Sequence, residues 1–425
     1  MDATCAPKPQ RVLMLVENNS FPWDRRIRHL ASTLQGNGYE VTVISPKGQH
    51  EDTKTTEAIK GVKIYRYPML CQATGGWDYL IEYSWSLFCM AVLSLLIFFR
   101  HGFDVIHVAN PPDLLFLIAL PFKWLGKKFV YDQHDLCPEL YLSKFQREDW
   151  LYRVLLLLEQ KTYSAADLVI STNQSYQSIA RERGGVRSAR SVIVRNGVDM
   201  QHFHRKPSRE ELKQGFRYLA LYLGVMGKQD GVDGVIRAAK HVVDTLGRRD
   251  VLFALIGTGE CLYDLQTLTR QSGLDAFVRF PGRISDELLL DYLSTADVCL
   301  APDPPDLMNQ LSTMTKIMEY MACERPIVSF DLLETRRSAG DAAVYVEGGD
   351  PRAFAEALDA LLQDPIRREE MGRVGLERSM HLVGLDRSQG ALLDAYSRML
   401  GGAGKPAEGS VSSEALGESR VSLSD

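Results

Sequence analysis

The sequence contains no CxxC pair, no excess of basic residues and no apolar leader, and each absence closes a class of explanation. Its seven cysteines (Cys5, Cys71, Cys89, Cys137, Cys261, Cys299 and Cys323) are odd in number and scattered. That argues for a reducing compartment and against a disulfide framework or a structural zinc site. A net charge of -5 gives no reason to expect a nucleic-acid partner. The opening MDATCAPKPQ lacks the apolar core of an export signal, so a cytoplasmic location is expected. LIGTGE (255–260) has no third glycine, which counts against a dinucleotide oxidoreductase. DPPD (303–306) has the wrong spacing for a DxD metal motif.

What the chain does contain is an alternation of apolar runs and helical periodicities along most of its 425 residues. That length exceeds one ordinary core, while 45% apolar and 24% charged residues are ordinary for a globular protein, so two domains are expected. RVLMLV (11–16) leads into a helix with Ile27, Leu30, Ala31 and Leu34 on one face, closed by Gly36 and Gly38. YEVTVI, VKIYRY, DVIHV, KKFVYD, DLVIST and SVIVR follow. Such near-continuous apolar strands suit a parallel sheet covered by helices on both faces. RNGVDMQHF (195–203) breaks the pattern, and a second alternation runs through YLALYLG, a helix from Gly231, VLFALIG, AFVRF, DVCLA, RPIVSF and AAVYV. The fold class is therefore α/β, with two doubly wound domains over residues 10–197 and 198–380. Residues 381–400 form a further helix, and the small, polar, aperiodic segment 401–425 is expected to be disordered.

WSLFCMAVLSLLIFFR (Trp85–Arg100) is apolar but shorter than the roughly 20 residues a spanning helix needs. Downstream, LPFKWLGKKF interleaves Phe122, Trp124 and Phe129 with Lys123, Lys127 and Lys128. The pair suits either a peripheral contact with an anionic membrane interface, through Trp85–Arg100 and Lys123–Phe129, or a helix buried on the N-terminal sheet beside a solvated basic loop.

In open α/β sheets ligands bind beyond the carboxyl ends of strands, so the strand-to-helix loops are the places to look. LIGTGE supplies Gly257 and Gly259; glycine lets a ligand approach the backbone and a helix N-terminus favours phosphate, with a plain tight turn as the alternative. VYDQHDLCPE (130–139) gathers Asp132, His134, Asp135 and Glu139 after a strand. Such a cluster is a site candidate; the alternative is a helix capped by Asp135 beside a satisfied histidine. SFPWDRRIRHL (20–30) offers Asp24 as a helix cap and Arg25, Arg26 and Arg28 for an anion in a cleft. LSTMTKIMEYMAC (311–323) reads as a half-buried helix with Met314, Ile317, Met318 and Met321 on its apolar stripe and Ser312 or Thr313 as N-cap. Its first-turn amides would face the cleft and hold a diphosphate. Thr315, Lys316 and Glu319 lie on the opposite side, where Lys316 and Glu319 either meet a ligand or form an exposed i, i+3 pair.

The ordered set HDLCPE, RNGVDMQHF, YLGVMGKQDGVDGVIRA, LIGTGE, VRFPGRISDELLLDYLSTADVCLAP and KIMEYMACERPIVS resembles the retaining GT-B glycosyltransferases of family 4 (group 1), over roughly residues 11 to 380. The resemblance implies two Rossmann-like domains facing a central cleft, with the activated donor on the C-terminal domain and the acceptor mostly on the N-terminal one. Helix 381–400 would cross back onto the N-terminal domain. Carried over, Glu319 matches the second glutamate of the E-x7-E motif, which holds the nucleotide ribose; a carboxylate suits a diol because it accepts two hydrogen bonds. His134 matches the family histidine near the donor sugar and phosphates, and is the catalytic candidate. Gly257, Gly259, Ser312, Thr313, Met314, Thr315 and Lys316 fall on the donor side, Asp24, Arg26 and Glu139 on the acceptor side, and Asn196 and Gly197 at the interdomain junction.

The sequence also departs from the family pattern. Leu311 stands where the first glutamate of the motif belongs, and Ser312 where glycine is usual. Val225 and Asp230 replace the arginine and lysine that neutralise the diphosphate. Lys228, Lys316 or Arg283 is expected to take over that task. The implied reaction moves a hexose-type unit from a nucleotide-diphosphate sugar, UDP-linked, to a glycan or polyprenyl-diphosphate-linked acceptor with retention, in polysaccharide biosynthesis. No metal and no cofactor besides the nucleotide-sugar substrate are expected. A membrane-facing acceptor side fits the relatives that build bacterial surface polysaccharides on a lipid carrier, which would put the protein on the inner face of the membrane. A nucleotide-sugar epimerase and a non-catalytic nucleotide-sugar-binding subunit are the rival readings.

Overall fold

The computed structural model describes residues 9–48, 54–69 and 76–401. Of the segment 401–425, expected to be disordered, residues 402–425 lie outside the described residues. Eight strands form the N-terminal sheet: β1 (Arg11–Leu15), β2 (Glu40–Pro46), β3 (Thr56–Ile59), β4 (Val62–Tyr67), β5 (Val105–Ala109), β6 (Lys128–Gln133), β7 (Leu168–Ser171) and β8 (Ser191–Ile193). They lie in the order 3-4-2-1-5-6-7-8. All neighbours are parallel except β3, which runs antiparallel to β4. The sequence pattern misses β3, because TEAI is short and an edge strand has no second neighbour to demand an apolar run. The covering helices are α1 (Arg25–Gly36), α2 (Gly76–Arg100), α3 (Phe116–Trp124), α4 (Cys137–Phe145), α5 (Trp150–Ala165) and α6 (Gln174–Glu182).

The C-terminal sheet is wholly parallel, with β9 (Tyr218–Leu223), β10 (Val251–Ile256), β11 (Val278–Gly282), β12 (Val298–Ala301), β13 (Ile327–Phe330) and β14 (Ala343–Val346) in the order 11-10-9-12-13-14. Its helices are α7 (Val232–Lys240), α8 (Leu262–Gln271), α9 (Asp286–Thr295), α10 (Leu307–Leu311), α11 (Thr315–Ala322), α12 (Leu333–Ala339), α13 (Pro351–Gln363) and α14 (Pro365–Arg378). Strands β9, β10, β12 and β13 are buried along nearly their whole length because each sheet carries an apolar core on both faces. That is why they read as apolar runs rather than alternations.

The last helix, α15 (Leu385–Met399), leaves the C-terminal domain and packs on α1 and β8 of the N-terminal one. Tyr396 is fully buried there, within the core built on β1, β5 and α1. The linker enters beside it: the backbone of Gly197 lies so close to Leu385 that a Cβ would sit 2.6 Å from the Leu385 Cα.

Apart from the antiparallel edge strand β3, each sheet reverses strand order once, at β1/β5 and at β9/β12. The loops leaving the carboxyl ends of strands at such a reversal diverge and leave a crevice. The two crevices face each other across the domain junction, and the candidate site follows from that.

Candidate functional site

On the N-terminal wall, the carboxyl end of β6 carries Asp132, which is completely buried. The Arg26 guanidinium grips it through Nε and Nη2, at 3.1 and 2.6 Å, and reaches on through Nη1 to the Val194 carbonyl and the Asn196 side chain. His134 Nε2 lies 2.8 Å from Asp132 Oδ2, and His107 Nε2 lies 3.5 Å from the same oxygen. Burial alone would raise the Asp132 pKa; the charges of Arg26 and His134, with hydrogen bonds from His107 and His134, outweigh it and hold the group well below the usual carboxylate range. An ionised Asp132 accepts only, so His134 carries a proton on Nε2. Burial holds His107 below its ordinary value, and its Nδ1 meets the Tyr396 hydroxyl of α15 at 2.6 Å. One carboxylate thus ties His134 to the linker through Arg26 and to the crossing helix through His107.

Asn110, after β5, organises the same loop. Its side-chain oxygen accepts from the backbone N–H of His134 and Asp135 while its amide donates to Asp113 and to the Asp135 carbonyl. Asn110 lies at the end of an apolar strand, the criterion that picks out His134, but NPPD reads as a plain turn.

On the C-terminal wall, α11 corrects two expectations. It begins at Thr315, after a break at Ser312–Met314, and Met314 occupies the N-cap with no side-chain hydrogen bond. Ser312 and Thr313 do not cap it because the N-terminal domain holds them. Asn173 donates to the Leu311 carbonyl and to Thr313 Oγ1, at 2.8 and 3.1 Å, and the Tyr176 hydroxyl meets Ser312 Oγ at 3.2 Å. Second, α11 is not half-buried: every residue from Lys316 to Ala322 is buried. The exposed Lys316–Glu319 pair therefore does not form. Lys316 turns under the sheet, 2.6 Å from the buried carboxylate of Asp303 and over the Tyr222 ring.

Glu319 faces the junction instead. Among the described residues its ion-pair partner is Arg25 of α1, across the cleft at 3.3 Å, whose side chain is 60% exposed. Burial pushes the Glu319 pKa up to about 7, with Arg25 pulling it only part of the way back. Beside this pair lies a cavity of about 480 Å³ between the domains, lined among others by Arg25, Arg28, Arg283, Asp286, Thr315 and Glu319. It is rich in guanidinium groups, and burial together with Arg28 and Arg25 holds His29, on its wall, below the ordinary histidine value despite Asp199.

Of the three cations expected to meet a diphosphate, Arg283 lines this cavity. Lys316 is neutralised by Asp303, and Lys228 is exposed on the short 3-10 turn Lys228–Asp230. Gly257 packs against the 224–226 loop: a Cβ there would collide with the Gly224 carbonyl oxygen, and one on Gly259 would crowd Met226. These glycines let two loops of the crevice touch, a closeness the turn pattern alone does not reveal.

Three expected cleft residues are engaged within the fold. Asp24 caps α1, accepting from the Ile27 N–H at 2.9 Å. Arg26 is committed to Asp132, although it lines the cavity together with Arg25 and Arg28. Glu139 is buried and paired with Arg183, which also meets Glu159. Asp135 does not cap α4; Leu136 holds that position, with Pro138 in the first turn.

Two Rossmann-like domains, a crossing C-terminal helix and a charged cavity at their junction define the GT-B architecture. The family described as "Glycosyltransferase Family 4" matches residues 24–202, and "Glycosyl transferases group 1" matches residues 217–364. The chain belongs to this glycosyltransferase family. It is 27% identical over 260 residues to the D-inositol 3-phosphate glycosyltransferase of Thermomonospora curvata, a match covering 56% of this chain and 58% of that protein. The chain thus spans little more than half the length of that relative. Among solved structures, sucrose-phosphate synthase from Thermosynechococcus elongatus superposes with a TM-score of 0.75 at 17% identity, over 92% of this chain and 99% of that one. Anabaena Alr3699/HepE in complex with UDP-glucose gives 0.67 at 16% identity, over 91% and 99%. At these identities the likeness speaks for the fold.

Proposed function

We propose that this protein transfers a hexose-type sugar from a nucleotide-diphosphate sugar, UDP-linked, to a glycan or polyprenyl-diphosphate-linked acceptor, with retention of configuration, in polysaccharide biosynthesis. The observation that carries the reading is Glu319: a buried, under-compensated carboxylate on the wall of an arginine-rich interdomain cavity. Such a group gains from a ligand that brings hydroxyl donors, and a ribose diol supplies two. Arg283 and Arg28, with the uncapped first-turn amides of α11, offer positive charge to the diphosphate. The fold is shared with an Anabaena protein solved with UDP-glucose, and the name of the Thermomonospora relative, a glycosyltransferase, agrees with the transfer chemistry.

In the proposed step the bond between the sugar C1 and the diphosphate oxygen breaks, and the electron pair leaves with the diphosphate. The acceptor hydroxyl oxygen bonds to C1 on the same face and passes its proton to the departing diphosphate oxygen. In this reading His134, held by its Nε2–H on Asp132 and not among the residues that line the cavity, is the group that would orient the donor sugar.

One feature favours a second reading, a nucleotide-sugar-binding subunit without turnover. Leu311 stands where the family carries an acid, and its carbonyl is bonded to Asn173. Incubating the purified chain with UDP-sugars and candidate acceptors separates the two. Transfer with retained anomeric configuration supports the proposal, whereas tight UDP-sugar binding with neither transfer nor hydrolysis supports the subunit. Epimerised donor formed without acceptor would point to the epimerase.

A further inference from the structure

Exposed large apolar side chains concentrate on one flank of the N-terminal domain. Phe88, Leu95 and Phe99 come from α2, Trp124 from the end of α3, and Trp150 and Leu157 from α5. Phe99, Trp124 and Trp150 are 81%, 80% and 72% exposed, and large apolar side chains bared on neighbouring helices are the mark of an interaction surface. Helix α2 packs on α3 and α3 on α5, so these side chains belong to one continuous face. The stretch Ile81–Arg100 has a mean hydropathy of 1.8, enough by length and composition to cross a membrane, yet only 22% of it is buried in the molecule.

Crossing is nevertheless incompatible with the fold. Met90 and Ile97 sit in the core against β1, β5 and β6, and Ser86 Oγ donates to the buried Glu17 at 2.9 Å. Removing α2 would strip one face of the sheet. The helix is one-sided, with its inner stripe in the protein and its outer stripe bare, which is the form of an element that lies in an interface.

Charge names the interface. On α2, α3 and α5 the exposed charged residues among the described side chains are Arg100, Arg153 and Lys161, with no exposed acid, and Arg147 beside Glu148 precedes α5. The whole chain carries -5. A self-complementary dimer through this face would bring like charges together. An anionic lipid surface complements both the aromatic side chains and the cations around them. We propose that the α2–α3–α5 face docks the protein on the surface of an anionic bilayer, with the outer side chains of α2 and Trp124 inserted among the headgroups.

The docking does not rest on the transferase reading and would hold for a binding subunit too. Its consequence does rest on that reading: Glu17, bonded to α2, lies in the loop leaving β1 at the crevice. A docked protein therefore presents its acceptor side near the lipid, which favours the lipid-linked acceptor of the two classes.

The test is co-sedimentation of the full chain with vesicles of phosphatidylcholine alone or with about one third phosphatidylglycerol. The wild type is expected to sediment with the anionic vesicles and much less with the neutral ones. The triple variant Leu95→Ser, Phe99→Ser, Trp124→Ser should lower the bound fraction about tenfold or more on anionic vesicles while unfolding at the wild-type temperature. Arg147→Glu, Arg153→Glu and Lys161→Glu should each weaken binding roughly fivefold, on anionic vesicles only. UDP binding measured on the same variants should be unchanged, which separates this inference from the transferase reading. A wild type that stays in the supernatant, sedimentation unaffected by these variants, or a dimer in light scattering that the triple variant abolishes would overturn the proposal.

Discussion

Asp132 and Glu319 are both buried carboxylates, on opposite walls of one cleft, and their surroundings have opposite effects. Asp132 has a bidentate arginine and two histidines, and is held ionised. Glu319 has one largely exposed arginine and is pushed up to about 7. A buried charge that is fully compensated serves the fold, because its partners would be stranded without it. One left short of partners is poised for a ligand, because binding can supply what the fold withholds.

The largest expected effect falls on the compensated side. Asp132→Ala strands Arg26 and should cost about 3–5 kcal/mol of unfolding free energy, read by urea titration. Glu319→Gln should cost less than about 1 kcal/mol at pH 8, because it removes a buried charge that Arg25 compensates only in part. Equal losses at the two positions would break the contrast. Next comes Lys316→Ala, which strands the buried Asp303 and should lower stability by roughly 3 kcal/mol. Its exposed counterpart Lys228→Ala should change neither stability nor UDP affinity by more than about twofold in equilibrium constant. Arg283→Ala should weaken UDP affinity about tenfold in calorimetry, since a charged hydrogen bond to phosphate is worth about 1.5–3 kcal/mol. The smallest effect is a shift rather than a loss. Arg25→Ala removes the nearest counter-charge, so the pH at which UDP binding half-develops should move upward.

Much of the architecture follows from local pattern. The apolar runs that become β1, β5, β9 and β10 are continuous because both faces of each sheet are covered, and the turns after them locate the crevices. The electrostatics of the site are not readable in this way. VYDQHD presents Asp132 and His134 together, but Arg26, 106 residues away, converts the first from a ligand candidate into an anchor. Glu319 stands out as an acid beside a methionine stripe, yet its burial depends on helices packed around α11 from distant parts of the chain. Asn173 and Tyr176 escape notice because TNQSY looks like an ordinary helix start. Asn173 does cap α6, accepting from the Tyr176 N–H at 2.8 Å, while its amide reaches across the cleft to Leu311. A side chain serving its own helix through one atom and another domain through the other leaves only the first role visible in sequence.

The pH dependence of stability follows from the same contrast. The folded value of Glu319, about 7, lies above its ordinary 4.5, so the folded chain binds more protons in that window. Its share of stability is full at low pH and is lost as pH rises through about 7. Burial raises Glu17 and Glu159 to about 7 as well, so Glu319→Gln should remove part of the wild-type slope and leave the rest.

Binding should run the other way, since a ribose diol donates to the ionised carboxylate. The most direct test is the UDP dissociation constant of the wild type and Glu319→Gln, titrated from about pH 5.5 to 8.5 by calorimetry. Wild-type affinity that strengthens through about pH 7, with a variant at least about tenfold weaker at pH 8 and lacking that Glu319-linked rise, is the predicted result. Equal affinities and identical pH profiles for the two proteins would contradict the role assigned to Glu319.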